Sequence, residues 1–172
     1  MIDTRAKLIQ AAADTLREHG VAAASARTIA RRAGVNQALI FYHFGTVSQL
    51  VEAACRHAVD TAAERYRCRL DKVTTLPGLL EVGRELHESE RAVGNVAMMG
   101  QVMSGAVGDP VLARAGKYAM SLWVREIELV VTRVLDGSPV ADVIDTNGVA
   151  RAIGAAFIGL EFYDGVDREG AA

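Results

Sequence analysis

Apolar residues recur at intervals of three and four along almost the whole chain, and nowhere do they alternate at a period of two for long. A strand buries every second residue, whereas a helix buries a stripe that returns every 3.6 residues. The pattern therefore predicts an all-α fold. Asp3 is placed to cap a first helix that reaches about Glu18, with Leu8, Ile9, Ala12, Ala13 and Leu16 on its buried face and Gly20 ending it. Ser25 caps a second helix that Gly34 stops after Ala33. A third, very short helix runs from Asn36 or Gln37 to Tyr42, where Gly45 breaks the pattern, and Thr46 or Ser48 opens a long fourth helix to about Leu70. Pro77 opens a stretch from Leu79 to about Ser89, and another apolar helix spans roughly Ala92 to Val107. Asp109-Pro110 starts a helix to Leu135, bent near Gly116; Ser138-Pro139 repeats that start signal, and a last helix covers about Thr146 to Tyr163. The tail DGVDREGAA looks frayed.

A hydrophobic share of 51% with 23% charged residues is a globular balance, which excludes a disordered chain. The charge is not evenly spread. Residues 1–45 hold six cations (Arg5, Lys7, Arg17, Arg27, Arg31, Arg32) and three acids (Asp3, Asp14, Glu18), a net of +3; the whole chain carries −2, so the remainder carries −5. A basic head on an acidic body points to a polyanion contact at one end. Cys55 and Cys68 stand too far apart for a CxxC pair, so both are expected to be free thiols, buried as small apolar side chains in a reducing cytoplasm. No apolar run approaches the ~20 residues that span a bilayer, so no membrane partner is expected.

The head holds the most informative stretch, TIARRAGVNQALIFYHF at residues 28–44. Two short helices joined by Ala33-Gly34-Val35-Asn36 have the layout of a helix-turn-helix, whose second helix enters the DNA major groove. Ile29, Ala30, Ala33, Val35 and Ile40 give the pair an inner face against Leu8, Ala12 and Leu16. Gln37, Ala38, Leu39, Tyr42 and His43 then face outward. Gln reads adenine edges, apolar groups meet the thymine methyl, and Tyr and His donate to phosphates. Phe41 and Phe44 are expected to anchor the short helix from behind, and Arg31 and Arg32 are open between phosphate contact and a solvated face.

Over residues 3–54 these pieces resemble the N-terminal domain of the TetR family of transcriptional regulators: RAKLIQAAADTLREHG, SARTIARRAGVNQALIFYHF, and the helix start TVSQLVEAA. The resemblance implies a three-helix DNA-binding domain at residues 1–46 and a larger helical effector-binding and dimerisation domain at residues 47–172. It implies operator contacts from Arg27, Thr28, Gln37, Ala38, Leu39, Tyr42, His43 and Thr46. Two positions depart from the family pattern. Phe41 stands where many members have tyrosine, and Val47 where a lysine is usual, so one backbone anchor is missing and a weaker salt dependence is expected. Many members also carry a further helix after the last one here, so the resemblance implies a smaller seam or a chain that continues.

In the body, Met98, Met99 and Met103 cluster, followed by Met120, Trp123, Ile127 and Val130, and then Phe157, Leu160 and Tyr163. Methionines fit irregular cavities and aromatics wall them. Met99, Met103, Trp123 and Phe157 are the candidates to line a site for a small apolar or amphipathic effector, although plain core explains the same residues. Ala152, Ala155, Ala156 and Gly159 form a smooth strip which, with Trp123, Ile127, Val131 and Val134, suits a four-helix seam between two copies. A homodimer would set its recognition helices about 34–36 Å apart, or a multiple of one turn, on a near-palindromic operator.

The rival readings are a helical enzyme and a constitutive DNA-binding or interaction module without an effector. GxSxG, HExxH and phosphate-loop motifs are absent from the sequence. His87 lies among Glu85, Glu88 and Glu90, but Glu85 and Glu88 read as one polar face with His87 elsewhere. No catalytic residue, metal or cofactor is expected, and the sequence reads as a ligand-responsive repressor.

Overall fold

Eight α-helices and one 3₁₀ turn account for the regular structure of the computed structural model, which describes residues 3–169. They are α1 (Thr4–His19), the 3₁₀ turn (Val21–Ala23), α2 (Ala26–Ala33), α3 (Ala38–Phe44), α4 (Val47–Leu70), α5 (Leu76–Ala92), α6 (Asn95–Gly105), α7 (Pro110–Leu135) and α8 (Thr146–Glu169). The all-α expectation holds, and the local chemistry that sets the helix ends is visible. The Asp3 carboxylate accepts from the Arg5 N–H, and the Ser25 hydroxyl accepts from the Thr28 N–H at 3.1 Å. Asp109 caps α7 through the Val111 N–H at 2.7 Å, with Pro110 in the first turn. The Thr46 hydroxyl, not that of Ser48, caps α4 by accepting from the Gln49 N–H.

Several boundaries moved. α3 starts later and runs on to Phe44, and α5 runs from Leu76 to Ala92 because no residue in ESERA breaks a helix. α6 is shorter than the apolar run, since Gly94 takes φ 79° before it. α7 is continuous through Gly116, whose missing Cβ makes room for Met103 of α6: an added Cβ would stand 2.8 Å from its sulfur. Ser138-Pro139 makes only turns, and Asp145 caps α8 instead, through the Gly148 N–H at 3.0 Å. The tail that looks frayed is helical to Glu169, and residues 170–172 lie outside the described residues.

The chain packs as two units, and the divisions fall within α4, between α5 and α6, and within α7. The first comprises Met1–Asp60 and Val93–Ala119. Its core joins Leu8, Ala12, Ala13 and Leu16 of α1, Ile29 and Ala30 of α2, and Ile40 and Phe44 of α3 to Leu50, Ala54 and Cys55 of α4, Met98 and Val102 of α6, and Leu112 of α7. α6 is tied to the end of α1 by polar contacts as well. Arg17 Nε donates to Asn95 Oδ1 at 2.6 Å, and the Gln101 side-chain oxygen accepts from the Val21 N–H at 2.9 Å. Gly20, at φ 78°, leaves room for that amide: a Cβ there would lie 2.5 Å from the Gln101 oxygen.

The second unit comprises Thr61–Ala92 and Met120–Ala172. Tyr66, Leu70, Val73, Leu79, Val82, Leu86, Val130 and Val131 form its core, with Trp123, Ile127, Val134 and Phe157 packed against it. Val131 is buried in this core, while Trp123, Ile127 and Val134 pack against it and stay partly exposed. Two buried acids are paired: Glu90 with Arg65 at 2.8 Å, and Glu126 with Arg67 at 3.6 Å. Arg133 donates to the carbonyls of Leu70 and Val73, satisfying acceptors left open where α4 ends. Among the described residues no helix is long and apolar enough to cross a membrane.

The cysteines are free, as expected, but only Cys55 is buried; Cys68 is exposed, which corrects the expectation of burial for both. Burial, and then the nearby Glu52 carboxylate, push the Cys55 thiol up to about 12. At pH 8, dithiobis(nitrobenzoate) is expected to titrate one thiol quickly and the second only after unfolding, with Cys68→Ser abolishing the fast phase. A fast phase that survives Cys68→Ser would show that the Cys55 environment opens readily.

Candidate nucleic-acid interface

The turn between α2 and α3 is closed by Gly34 in the left-handed region, at φ 66° and ψ 33°. The Gly34 N–H donates to the Arg31 carbonyl and the Val35 N–H to the Ala30 carbonyl, the paired bonds of a Schellman end. Nothing lies within 4 Å of a Cβ added at Gly34, so the glycine is needed for its backbone angle alone. After the turn, Asn36 Oδ1 accepts from the Ala38 N–H at 2.8 Å. Asn36 thereby does the capping, and the Gln37 side chain makes no cap bond.

α3 has only seven residues, too few to hold a helix in water. Ile40 (0% exposed) and Phe44 (9%), one turn apart, hold it against the first core. Burying two such side chains is worth roughly 1.5–3 kcal/mol each, enough to offset the nucleation cost of so short a helix. Phe41 is 51% exposed, so the expectation that it anchors the helix is wrong: it stands one position, or about 100°, away from the buried Ile40.

The other expected contacts divide by position. Gln37, Ala38 and Tyr42 are exposed, Tyr42 at 80%. His43 is half-buried, with its ring edge-on to Tyr42 at 5.0 Å. Leu39 is half-buried against the first core and shows only part of its side chain. On α2, Arg27 is exposed, and the half-buried Thr28 shares a hydroxyl hydrogen bond of 2.8 Å with Ser25. Thr46 is exposed and also donates to the Gln49 amide oxygen.

Charge in the head is sorted. Asp14 accepts from Arg17 at 2.9 Å, and Glu18 is bonded directly to Arg32. Hydrogen bonding to Arg32 holds the Glu18 carboxyl below its ordinary range, and the same bond raises Arg32. Arg32 is thus paired with α1 at the surface, whereas Arg31 has no such partner among the described residues. Among the described residues, the side-chain nitrogens of Arg5, Lys7, Arg27 and Arg31 have no carboxylate oxygen within 4.0 Å. Of these, Arg5, Lys7 and Arg31 are not among the operator contacts that the sequence singles out.

The candidate effector residues fall in different units. Met99 and Met103 lie in the first, and Trp123 and Phe157 in the second. Met99 packs on the first core, while Trp123 and Phe157 pack on the second. The Phe157 ring meets His87 edge-on at 4.7 Å. A groove of about 410 Å³ in the second unit is lined by Arg69, Lys72, Thr74, Thr75 and Glu81 among others, and none of the four candidates borders it.

Residues 8–54 match the family described as bacterial regulatory proteins, tetR family. The HTH-type transcriptional repressor Rv3405c of Mycobacterium tuberculosis is 49% identical over 55 residues, which is 32% of this chain and 29% of that protein. The chain thus matches less than a third of that relative's length. A transcriptional regulator from Pseudomonas aeruginosa PAO1 shares the fold with a TM-score of 0.73 at 22% identity, over 95% of this chain and 80% of its own. A transcriptional regulator from Saccharomonospora viridis, solved in complex with choline, superposes with a TM-score of 0.66 at 18% identity, over 91% of this chain and 82% of its own. Residues 8–54 thus carry the DNA-binding domain described for the tetR family of bacterial regulatory proteins, and the helical fold of nearly the whole chain is one that solved transcriptional regulators share.

Proposed function

We propose that the protein is a DNA-binding transcriptional regulator, a repressor released from a palindromic operator by a small apolar or amphipathic effector, acting in the cytoplasm as a homodimer. Residues 1–46 are the DNA-binding domain and residues 47–172 the effector and dimerisation domain. The observation that carries the reading is the division within α3, where Ile40 and Phe44 are buried while Gln37, Ala38 and Tyr42 stand in solvent. Gln37 has an amide free to read a base edge, Ala38 meets an apolar edge, and Tyr42 and His43 donate to phosphates, with Arg27, Thr28, Leu39 and Thr46 at the margin. The choline complex of the Saccharomonospora viridis regulator supports a small-molecule effector. Met99, Met103, Trp123 and Phe157 are the side chains proposed for effector contact.

The dimer reading rests on α8. Ala152, Ala155, Ala156 and Gly159 are exposed, as are Val149 (37%), Leu160 (55%) and Tyr163 (67%). These residues share one helix face and leave an apolar strip without cover in the single chain. Sedimentation of the wild type is expected to give twice the chain mass, and Ala156→Arg to give a monomer. A wild-type monomer at micromolar concentration, or an unaffected variant, would refute the seam.

For DNA, a duplex selected from a random library is the probe. Gln37→Ala with Tyr42→Ala is expected to weaken binding about 10- to 100-fold and to flatten sequence preference. Equal affinity and equal preference in the double variant would sink the contact assignment. Gly34→Ala, which forces a Cβ into the left-handed region, is expected to cost about 1–2 kcal/mol in urea unfolding. A ligand that stabilises the body in a thermal-shift screen yet leaves DNA affinity unchanged would separate the two sites.

A further inference from the structure

We propose that Arg5 is a further phosphate-contacting residue of the head, and that Phe44 positions it. The proposal rests on the DNA-binding reading and extends it from α3 onto α1. The Arg5 guanidinium lies 5.2 Å from the centroid of the Phe44 ring, over its face. Phe44 is itself buried in the core, so the ring is a fixed platform. Arg5 as a whole is exposed, and among the described residues no carboxylate lies within 4.0 Å of its guanidinium. Asp3 is nearby, but its carboxylate accepts from the Arg5 backbone N–H at 3.3 Å.

A guanidinium held over a ring by cation–π attraction spends no hydrogen bond on that contact and keeps N–H groups available. Those groups are suited to bidentate contact with phosphate oxygens. The contact with Phe44 also restricts the long side chain before DNA arrives, so less freedom is lost on binding. Position agrees with chemistry. The rings of Tyr42, His43 and Phe44 follow one another edge-on at 5.0 and 6.3 Å, and Arg5 stands at the Phe44 end of that row. The row already holds the two proposed phosphate donors, Tyr42 and His43. The first turn of α4 (Val47, Ser48, Gln49 and Leu50) carries no cation, so Arg5 supplies positive charge at this end of α3.

The test is fluorescence anisotropy of the full chain with the selected duplex and a scrambled one, titrated between low and moderate salt. Arg5→Met keeps an apolar stem and removes the charge; Arg5→Lys keeps the charge. Arg5→Met is expected to lower the slope of log K against log salt by about one, to weaken both duplexes equally, and to leave Tm near wild type. Arg5→Lys is expected to keep the wild-type slope. If Arg5 only packs on Phe44, Arg5→Met will lower Tm and leave the slope unchanged, which overturns the proposal. Should Arg5→Met fail to fold, Arg5→Gln gives the same readout. A wild type that binds neither duplex removes the DNA reading and this proposal together. A wild type that responds to Gln37→Ala with Tyr42→Ala, but whose slope ignores Arg5→Met, removes the Arg5 assignment alone.

Discussion

The burial of Ile40 and Phe44 sets the rotation of α3, and everything proposed for the head depends on that rotation. Seven residues make two turns, with too few internal hydrogen bonds to persist without help. Two side chains one turn apart, locked into a core with Leu8, Leu16 and Ile29, fix the helix about its axis. A slip of one residue would turn it by about 100° and carry Phe41 inward and Ile40 out. Tyr42, about 200° around the helix from Ile40 and now in solvent, would then turn partly inward. The Gly34 turn sets where α3 begins, and the buried pair sets how it is rolled.

Electrostatics adds selection to this geometry. A basic excess could have been spread evenly, yet α1 uses Asp14 and Glu18 to hold Arg17 and Arg32. Because the Glu18 carboxyl sits below its ordinary range when folded, its pairing contributes above that range and is lost as pH falls through it. Near neutrality Arg32 therefore has a charged partner on α1, in an exposed pair of modest strength. What remains for a polyanion is Arg5 and Lys7 on α1 with Arg27 and Arg31, one turn apart on α2. The formal excess counted along the sequence hides this sorting, since the count treats Arg31 and Arg32 alike.

Much of the fold was legible because helix ends depend on short-range chemistry. Asp3, Ser25, Gly34 and Asp109-Pro110 act on residues two to five positions away, and the structure places them as the sequence suggests. Ser138-Pro139 shows the limit of such signals: the same chemistry makes a turn when no apolar stripe follows to be buried. Phe41 and Cys68 were misread for a different reason. Aromatic and sulfur side chains favour burial on average, but a helix has one inner face, and neither residue stands on it. The Arg5–Phe44 contact spans 39 positions in the chain and has no periodic signature, so only the packed structure reveals it.

The body was read less well because one residue type serves three purposes there. A Met, Trp or Phe at helical spacing can fill a core, line a cavity or meet a partner, and the pattern of apolar positions is the same for each. Burial separates the cases only in part. Val131 goes into the second core, whereas Trp123, Ile127 and Val134 lean on it and keep part of their surface in solvent. The α8 strip stays open for the opposite reason: alanine and glycine bury little area, so packing it inward would gain little, while its smoothness favours close approach of another helix. Leu160 and Tyr163 exposed on the same face are costly for an isolated chain, and the cost is removed when a second surface covers them. A face that is cheap to expose in its small residues and expensive in its large ones is better explained by a partner than by solvent.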